Sequence, residues 1–336
     1  MRRRPLAALL AVALLAAFVL VLGPERVARD LSRADPRLVA LACLSTLGSL
    51  LCWSEAQRRL HGAAGATTGP GAFGVAYATG VFLKLTLPGG RAGGPAVMAY
   101  ALGRETRLGF ERDLTAVLAG KFVGFLGCVP PALAGLLFVT LPFPVGRALL
   151  PATAGLTAVV GVTAVVLVRR PGTVRAVVHR LAGLGRATVG RLSERAATRL
   201  SHSRVDAACD RAGHTLAAIR GDRRALASAF VLTALGWCLA AGPLYFAFAA
   251  LEVPVPLALA LFVVPAGTVA NGVPLPGGIG GVEFALTGLL VAVTGLPVAT
   301  VGAAVLLYRA TGDGVSALLG GAAVTARPDG RRRRGE

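Results

Sequence analysis

Leu87-Pro88-Gly89-Gly90 and Leu275-Pro276-Gly277-Gly278 are the same four residues, met twice in one apolar chain. Each falls where a hydrophobic run would otherwise continue as a helix, and each prevents it. Proline lacks the N–H that a helix interior needs and clashes with the preceding turn, and each glycine costs about 1 kcal/mol relative to alanine. Ala72 to Leu87 is apolar before the first break, and after it the apolar piece is short, Pro95 to Gly103. Pro256 to Leu275 and Gly281 to Leu296 flank the second break.

A helix over Pro95 to Gly103 would extend about 14 Å, half the roughly 30 Å of bilayer hydrocarbon, so it cannot cross alone. The expected arrangement is a re-entrant pair of half-helices meeting at the break. A bilayer tolerates such a break only where protein or a water-filled cavity shields the freed backbone groups.

Outward from the breaks, the chain has 55% hydrophobic and 15% charged residues over 336 positions, too apolar for a soluble domain of that length. Apolar blocks long enough to span run over Leu6 to Leu22, Leu38 to Ser54, Leu114 to Leu141, Leu149 to Val168, Ala225 to Leu251 and Val298 to Ala326. The expected fold is an all-α membrane protein of about eight transmembrane elements, two of them re-entrant broken-helix pairs. Residues 1–168 form an N-terminal membrane half, 169–224 a basic cytoplasmic segment, 225–326 a C-terminal membrane half and 327–336 a basic tail. Met1-Arg2-Arg3-Arg4 ahead of Leu6 to Leu22 reads as a signal anchor, because Gly23-Pro24-Glu25-Arg26 offers no small-x-small cleavage site.

The net charge of +19 would suggest nucleic-acid binding in a soluble chain, but the basic residues gather in loops. With the N-terminus inside, 26 of the 35 basic residues lie on the inner side and five on the outer, four of those five in the loop Arg26 to Arg37. That bias places both termini in the cytoplasm of a cell (cytoplasmic) membrane protein. The first break then enters from the cytoplasm and the second from outside. Antiparallel broken helices on either side of a central loop are the pattern of inverted-repeat transporters, whose substrate site lies at the midplane.

Residues 169 to 224 carry 13 Arg against four acids. Val174, Val177, Val178, Leu181 and Leu184 recur at helical spacing, as in a basic amphipathic helix on the anionic inner leaflet; a solvated linker that fixes topology is the alternative. With no aromatic residue to stack on bases, the segment is not a nucleic-acid site.

No nucleotide, metal or hydrolase motif is present, so no cofactor, no metal and no enzymatic activity of its own are expected. His61, His179, His202 and His214 are expected in loops, and Cys43, Cys52, Cys128 and Cys238 as apolar fillers.

What remains is charge inside the membrane, which costs about 2.5–3.5 kcal/mol per residue on insertion scales and marks functional sites. Lys84, Arg91, Lys121 and Arg309 are candidate headgroup ligands; Glu283 and Asp313 are candidate gating or ion-pair groups. The excess of cations suits an anionic ligand such as a phosphate. Arg309 and Asp313, four apart on one helix face, can equally neutralise one another. Glu283, early in its half-helix, can simply complement the helix dipole. Lys84 and Arg91 can snorkel. Lys121 sits well inside a span beside the close-packing pattern Gly120-x-x-x-Gly124.

Pro274-Leu275-Pro276-Gly277-Gly278-Ile279-Gly280-Gly281-Val282-Glu283, followed by the helix with Tyr308-Arg309, resembles the flippase-like transmembrane domain of lysylphosphatidylglycerol synthases, the UPF0104 family. Leu87-Pro88-Gly89-Gly90 with Tyr100 to Arg104 resembles that family's earlier Pro-Gly segment. The resemblance implies a membrane domain related to lipid translocation, without the soluble aminoacyl-transferase domain that full synthases append. The expected partners are anionic membrane lipids, with a soluble lipid-modifying enzyme or further copies of the chain as protein partners. A lipid translocase is the first expectation. A non-transporting scaffold that binds anionic lipid or recruits a lipid-modifying or glycosyl-transferring enzyme is the second.

Overall fold

The computed structural model describes residues 32–87, 93–138, 202–267 and 281–325, with Leu20, Glu25, Arg29 and Arg180 as isolated positions. The described residues form helices and turns and no strand, so the chain is an all-α membrane protein. The expected spans Leu6 to Leu22 and Leu149 to Val168, the amphipathic stretch from Val174 to Leu184 and the basic tail lie outside them. So do Arg91 and the break residues Pro88, Gly89, Gly90, Pro276, Gly277 and Gly278.

In chain order the helices are α1 (Pro36–Ala63), α2 (Pro70–Thr86), α3 (Gly94–Thr106), α4 (Phe110–Phe138), α5 (His202–Gly221), α6 (Arg223–Ala250), α7 (Leu257–Gly267), α8 (Gly281–Thr294), α9 (Val298–Arg309) and α10 (Val315–Thr325). A π turn, Ala310–Gly314, joins the last two. Among the described residues, α1, α4 and α6 are long and apolar enough to cross a membrane.

Local chemistry sets the helix ends. The Asp35 carboxylate caps α1 by accepting from the Arg37 backbone N–H at 2.8 Å, with Pro36 in the first turn where its missing N–H costs nothing. Asp222 caps α6 through Ala225 N at 2.9 Å. α1 runs past the expected stop at Ser54 to Ala63, because Glu55 pairs with Arg58 (2.6 Å) and Arg59 (2.7 Å) on its wetter face while Gln57, Leu60 and His61 turn inward. His61 therefore does not lie in a loop: it is in the last turn of α1 and fully buried.

α1 and α6 are antiparallel neighbours. Asp35 N donates to Ala250 O at 3.1 Å at one end, Ser45 Oγ donates to Leu239 O at 2.6 Å further along, and Trp53 meets Trp237 edge-on with ring centroids 5.4 Å apart. Small residues permit the approach: a methyl group on Gly242 would strike the Ser45 side chain, and one on Gly236 the Trp53 ring. This is how helices associate where no water is present to drive them together. Leu137 and Phe138 of α4 stand about four-fifths exposed, as side chains facing lipid do. The two ends of the bundle are named here for the residues that mark α1, the Asp35 end and the His61 end.

The pieces around the first break form a hairpin. Thr68 Oγ1 donates to Glu105 O at 3.1 Å, Gly80 packs on Met98, and the Lys84 stem lies over Gly94. The chain thus leaves α3 at the His61 end, where it entered α2. Around the second break, α7 starts at the Asp35 end and finishes with Gly267 beside Leu286 of α8. α8 then leads to the turn before α9, and Leu290 and Val293 share one core with Leu244, Phe248, Leu259 and Phe262. The expected single span Val298 to Ala326 is α9, the π turn and α10 in sequence.

Candidate functional site

Depth within the bundle can be read from register. Thr46 is the middle residue of the apolar stretch Leu38 to Ser54, and its Oγ1 donates to Thr311 O at 2.9 Å. That carbonyl belongs to the π turn, where the wider winding takes backbone groups out of the ordinary helical ladder; such turns cluster at functional positions. Thr46→Val keeps the side-chain shape and removes the donor, so it is expected to lower stability by about 1 kcal/mol in denaturant titrations of the purified protein.

Two residues before Thr311, Arg309 lies between two carboxylates from different parts of the chain. Its Nε donates to Glu283 Oε1 at 2.8 Å, and its Nη1 donates to Asp313 on the next turn. Glu283 comes from the start of α8, directly after the second break, and its side chain is 3% exposed; Asp313 is 40% exposed. The cluster therefore has a closed arm and an open one. One turn beyond Glu283, Thr287 is buried with a hydroxyl that meets no hydrogen-bond partner among the described residues. Both readings of Glu283 and Asp313 as ion-pair groups converge on one guanidinium.

α10 lies along α2, with Gly320 against Ala78 O and Phe82. α2 climbs from the His61 end while α10 descends toward it. Seven residues back from Gly320 is Asp313, and seven forward from Ala78 is Leu85, so Asp313 is level with the end of α2. Lys84 is there too, about 21 Å along α2 from Pro70; Thr46 is about 22 Å along α1 from His61. Lys84, Arg309, Glu283 and Asp313 thus share mid-depth, reached by one hairpin from each end.

Lys121 is placed differently. It follows Val117, which is packed with Phe73, Met98 and Leu102, on the stripe of α4 that faces α2 and α3, and its side chain is exposed. Its neighbour Gly120 abuts Gln57 of α1, and Trp237 Nε1 donates to Gly124 O at 2.9 Å, so the Gly-x-x-x-Gly pattern does carry close packing. Gln57 is eleven residues from Thr46, about 16 Å along the axis, so Lys121 is nearer the His61 end than Arg309 by that much. One headgroup cannot touch both at once.

Sequence reasoning missed Thr46, Thr287 and a buried pair, His61 with Asp113 (3.6 Å), at the His61 end. Asp113 adjoins the expected start of a span and His61 follows the end of another, so neither stood out as charge in a membrane. Among the described residues no group of three or more His, Cys, Asp or Glu could hold a metal.

Comparison with known proteins agrees with this architecture. A "UPF0104 membrane protein" of Methanothermobacter thermautotrophicus (strain Delta H) is 26% identical over 277 residues, covering 81% of this chain and 80% of that protein. The family model described as "Lysylphosphatidylglycerol synthase TM region" matches residues 6–320, nearly the whole chain, including both breaks and the helix that carries Arg309. The chain belongs to the lysylphosphatidylglycerol synthase transmembrane-region family.

Proposed function

We propose that the chain is a lipid translocase that moves a polar lipid with an anionic, phosphate-bearing headgroup across the cytoplasmic membrane, with both termini inside. The observation that carries this reading is the cluster of Arg309, Glu283, Asp313 and Lys84 at mid-depth, where hairpins entering from opposite ends converge. Charge at that depth is costly unless paired, and its usual role in a bundle is to line a polar path. Membership in a membrane family named for a lipid synthase supports a lipid as the cargo.

On this reading the passage has an order. A headgroup arriving from the cytoplasmic (His61) side meets Lys121 first, then passes about 16 Å further to Arg309. At Arg309 a phosphate competes with the open arm, Asp313, while the buried Glu283 keeps the guanidinium oriented. Arginine's fork can hold one carboxylate and one phosphate at the same time. Lacking a nucleotide motif, this passage would run downhill or on the membrane potential.

Reconstitution into liposomes with fluorescent phosphatidylglycerol, phosphatidylethanolamine and a polyprenyl-phosphate sugar tests the proposal. At least one headgroup class should cross faster than in protein-free vesicles, with Lys121→Ala slowing it. Rates no faster than in protein-free vesicles for all three would reject the reading.

The scaffold alternative has its own supporting observation. α5 docks on α4 through Arg211 and Glu111 (3.2 Å) and presents Arg204 and Arg220 outward at the His61 end, as a surface for an acidic partner would. Replacing Arg204 and Arg220 with Gln should abolish cellular function under that alternative and leave liposome transport intact under the proposal.

A further inference from the structure

A second set of buried ionisable groups lies far from the mid-depth cluster. His61, in the last turn of α1, and Asp113, in the first turn of α4, are both 0% exposed, with His61 Nε2 3.6 Å from Asp113 Oδ1. Thr106 Oγ1 of α3 donates to the same carboxylate oxygen at 2.6 Å. His61 Nε2 and Asp113 Oδ2 meet no hydrogen-bond partner among the described residues. Two unmet polar atoms in one dry site would cost about 1–3 kcal/mol each.

Gln57 makes the imidazole adaptable. Its backbone carbonyl lies 2.9 Å from His61 Nδ1, and its side-chain amide nitrogen 3.2 Å from the same atom while also donating to Ala116 O at 2.9 Å. One residue therefore offers Nδ1 both an acceptor and a donor, so the ring is accommodated with or without a proton there. With a neutral ring and an ionised carboxylate the site holds one uncompensated negative charge. Adding one proton brings the net charge to zero, and an Nε2–H donating to the carboxylate would close the 3.6 Å gap to about 2.8 Å.

The surroundings add little competing charge. The Phe73 ring of α2 meets the imidazole edge-on at 5.3 Å, and Gly103 of α3 leaves room beside Asp113 Oδ2. On α4, the Arg112 guanidinium is engaged with Ala64 O at 2.5 Å, and Glu111 with Arg211 of α5. On α1, Glu55, Arg58 and Arg59 pair among themselves. Leu60 packs with Ile219 of α5 and Ala229 of α6, the apolar side of the site.

We propose that His61 and Asp113 form a binding site for one proton, whose occupancy clamps α1 to α4 at the base of the first hairpin. Through Thr106 the clamp also holds α3, so the hairpin that carries Lys84 is freer to move when the proton leaves. The proton site stands whether or not the cargo is a lipid.

Nitrogen and carbon NMR of the full chain in liposomes tests it. His179, His202 and His214 are replaced by Gln, so that His61 is the one imidazole. Both ring nitrogens and the Asp113 carboxyl carbon should change together in a single one-proton step as the pH is titrated. Asp113→Asn should abolish that step at the ring. An imidazole that keeps one neutral tautomer beside a permanently ionised Asp113, or a ring titration that survives Asp113→Asn, overturns the proposal. Should Asp113→Asn not fold, Thr106→Val removes the hydroxyl's hydrogen bond to the carboxylate. The step then moves if it belongs to the pair, and an unmoved step overturns the proposal.

Discussion

Arg309→Ala is expected to abolish lipid movement and to lower stability by about 3–5 kcal/mol, the usual cost of removing one partner from a buried ion pair. The loss is large because Glu283, 3% exposed and accepting from Arg309 Nε at 2.8 Å, would lose its guanidinium partner in the bundle interior. The same reasoning ranks the neighbouring substitutions. Glu283→Gln leaves Arg309 paired with Asp313 and should cost less than half as much. Asp313→Asn, on the open arm, should be nearly neutral for folding yet change lipid movement, because it removes the carboxylate that a phosphate would displace under the proposed function. Arg309→Lys keeps the charge but loses the fork, so it should recover most of the stability and little of the transport. Denaturant midpoints in mild detergent and liposome rates measured on the same preparations separate the two effects. If Arg309→Ala is as stable as the parent, the Arg309–Glu283 contact contributes nothing to folding and the closed-arm description is wrong.

Much of this was legible in the sequence because lipid solubility is a property of composition. The apolar blocks that became α1, α4 and α6 needed only length to be identified, and the nine-residue piece Pro95 to Gly103 after the first Pro-Gly-Gly was visibly too short for a simple span. Arg309 and Asp313 could be paired from their four-residue spacing. The third member of that cluster could not be assigned to them, since Glu283 reaches Arg309 only through the fold of the second hairpin. The depth of Lys121 was hidden for the same reason. Its distance along its own helix says nothing of its level against Thr46 until Gly120 is seen to abut Gln57. His61 escaped because a polar turn carrying Glu55, Arg58 and Arg59 reads as a loop, whereas their mutual ion pairs let α1 continue through it.

Gly320→Ala is the other substitution with a large expected effect, and it acts on mechanism through packing. A methyl group there would sit 2.5 Å from Ala78 O and 2.5 Å from Phe82 Cβ, and a backbone carbonyl cannot rotate away as a side-chain tip can. α10 must then shift off α2, at about 1–3 kcal/mol for an overpacked contact. The next residue supplies the control. A methyl group on Gly321 meets only the Phe82 ring at 3.6 Å and 3.9 Å, ordinary contact, so Gly321→Ala should stay within about 0.5 kcal/mol of the parent. The contact at Gly320 fixes the level of Asp313 against Lys84, so displacing it misaligns the mid-depth cluster without touching a charged residue. Gly320→Ala should therefore slow lipid movement more than its stability loss explains, measured at a temperature where the variant remains folded. Unchanged transport in a folded Gly320→Ala protein would mean that α10 and α2 slide past one another during the cycle, and that their register sets no requirement on the passage of a headgroup.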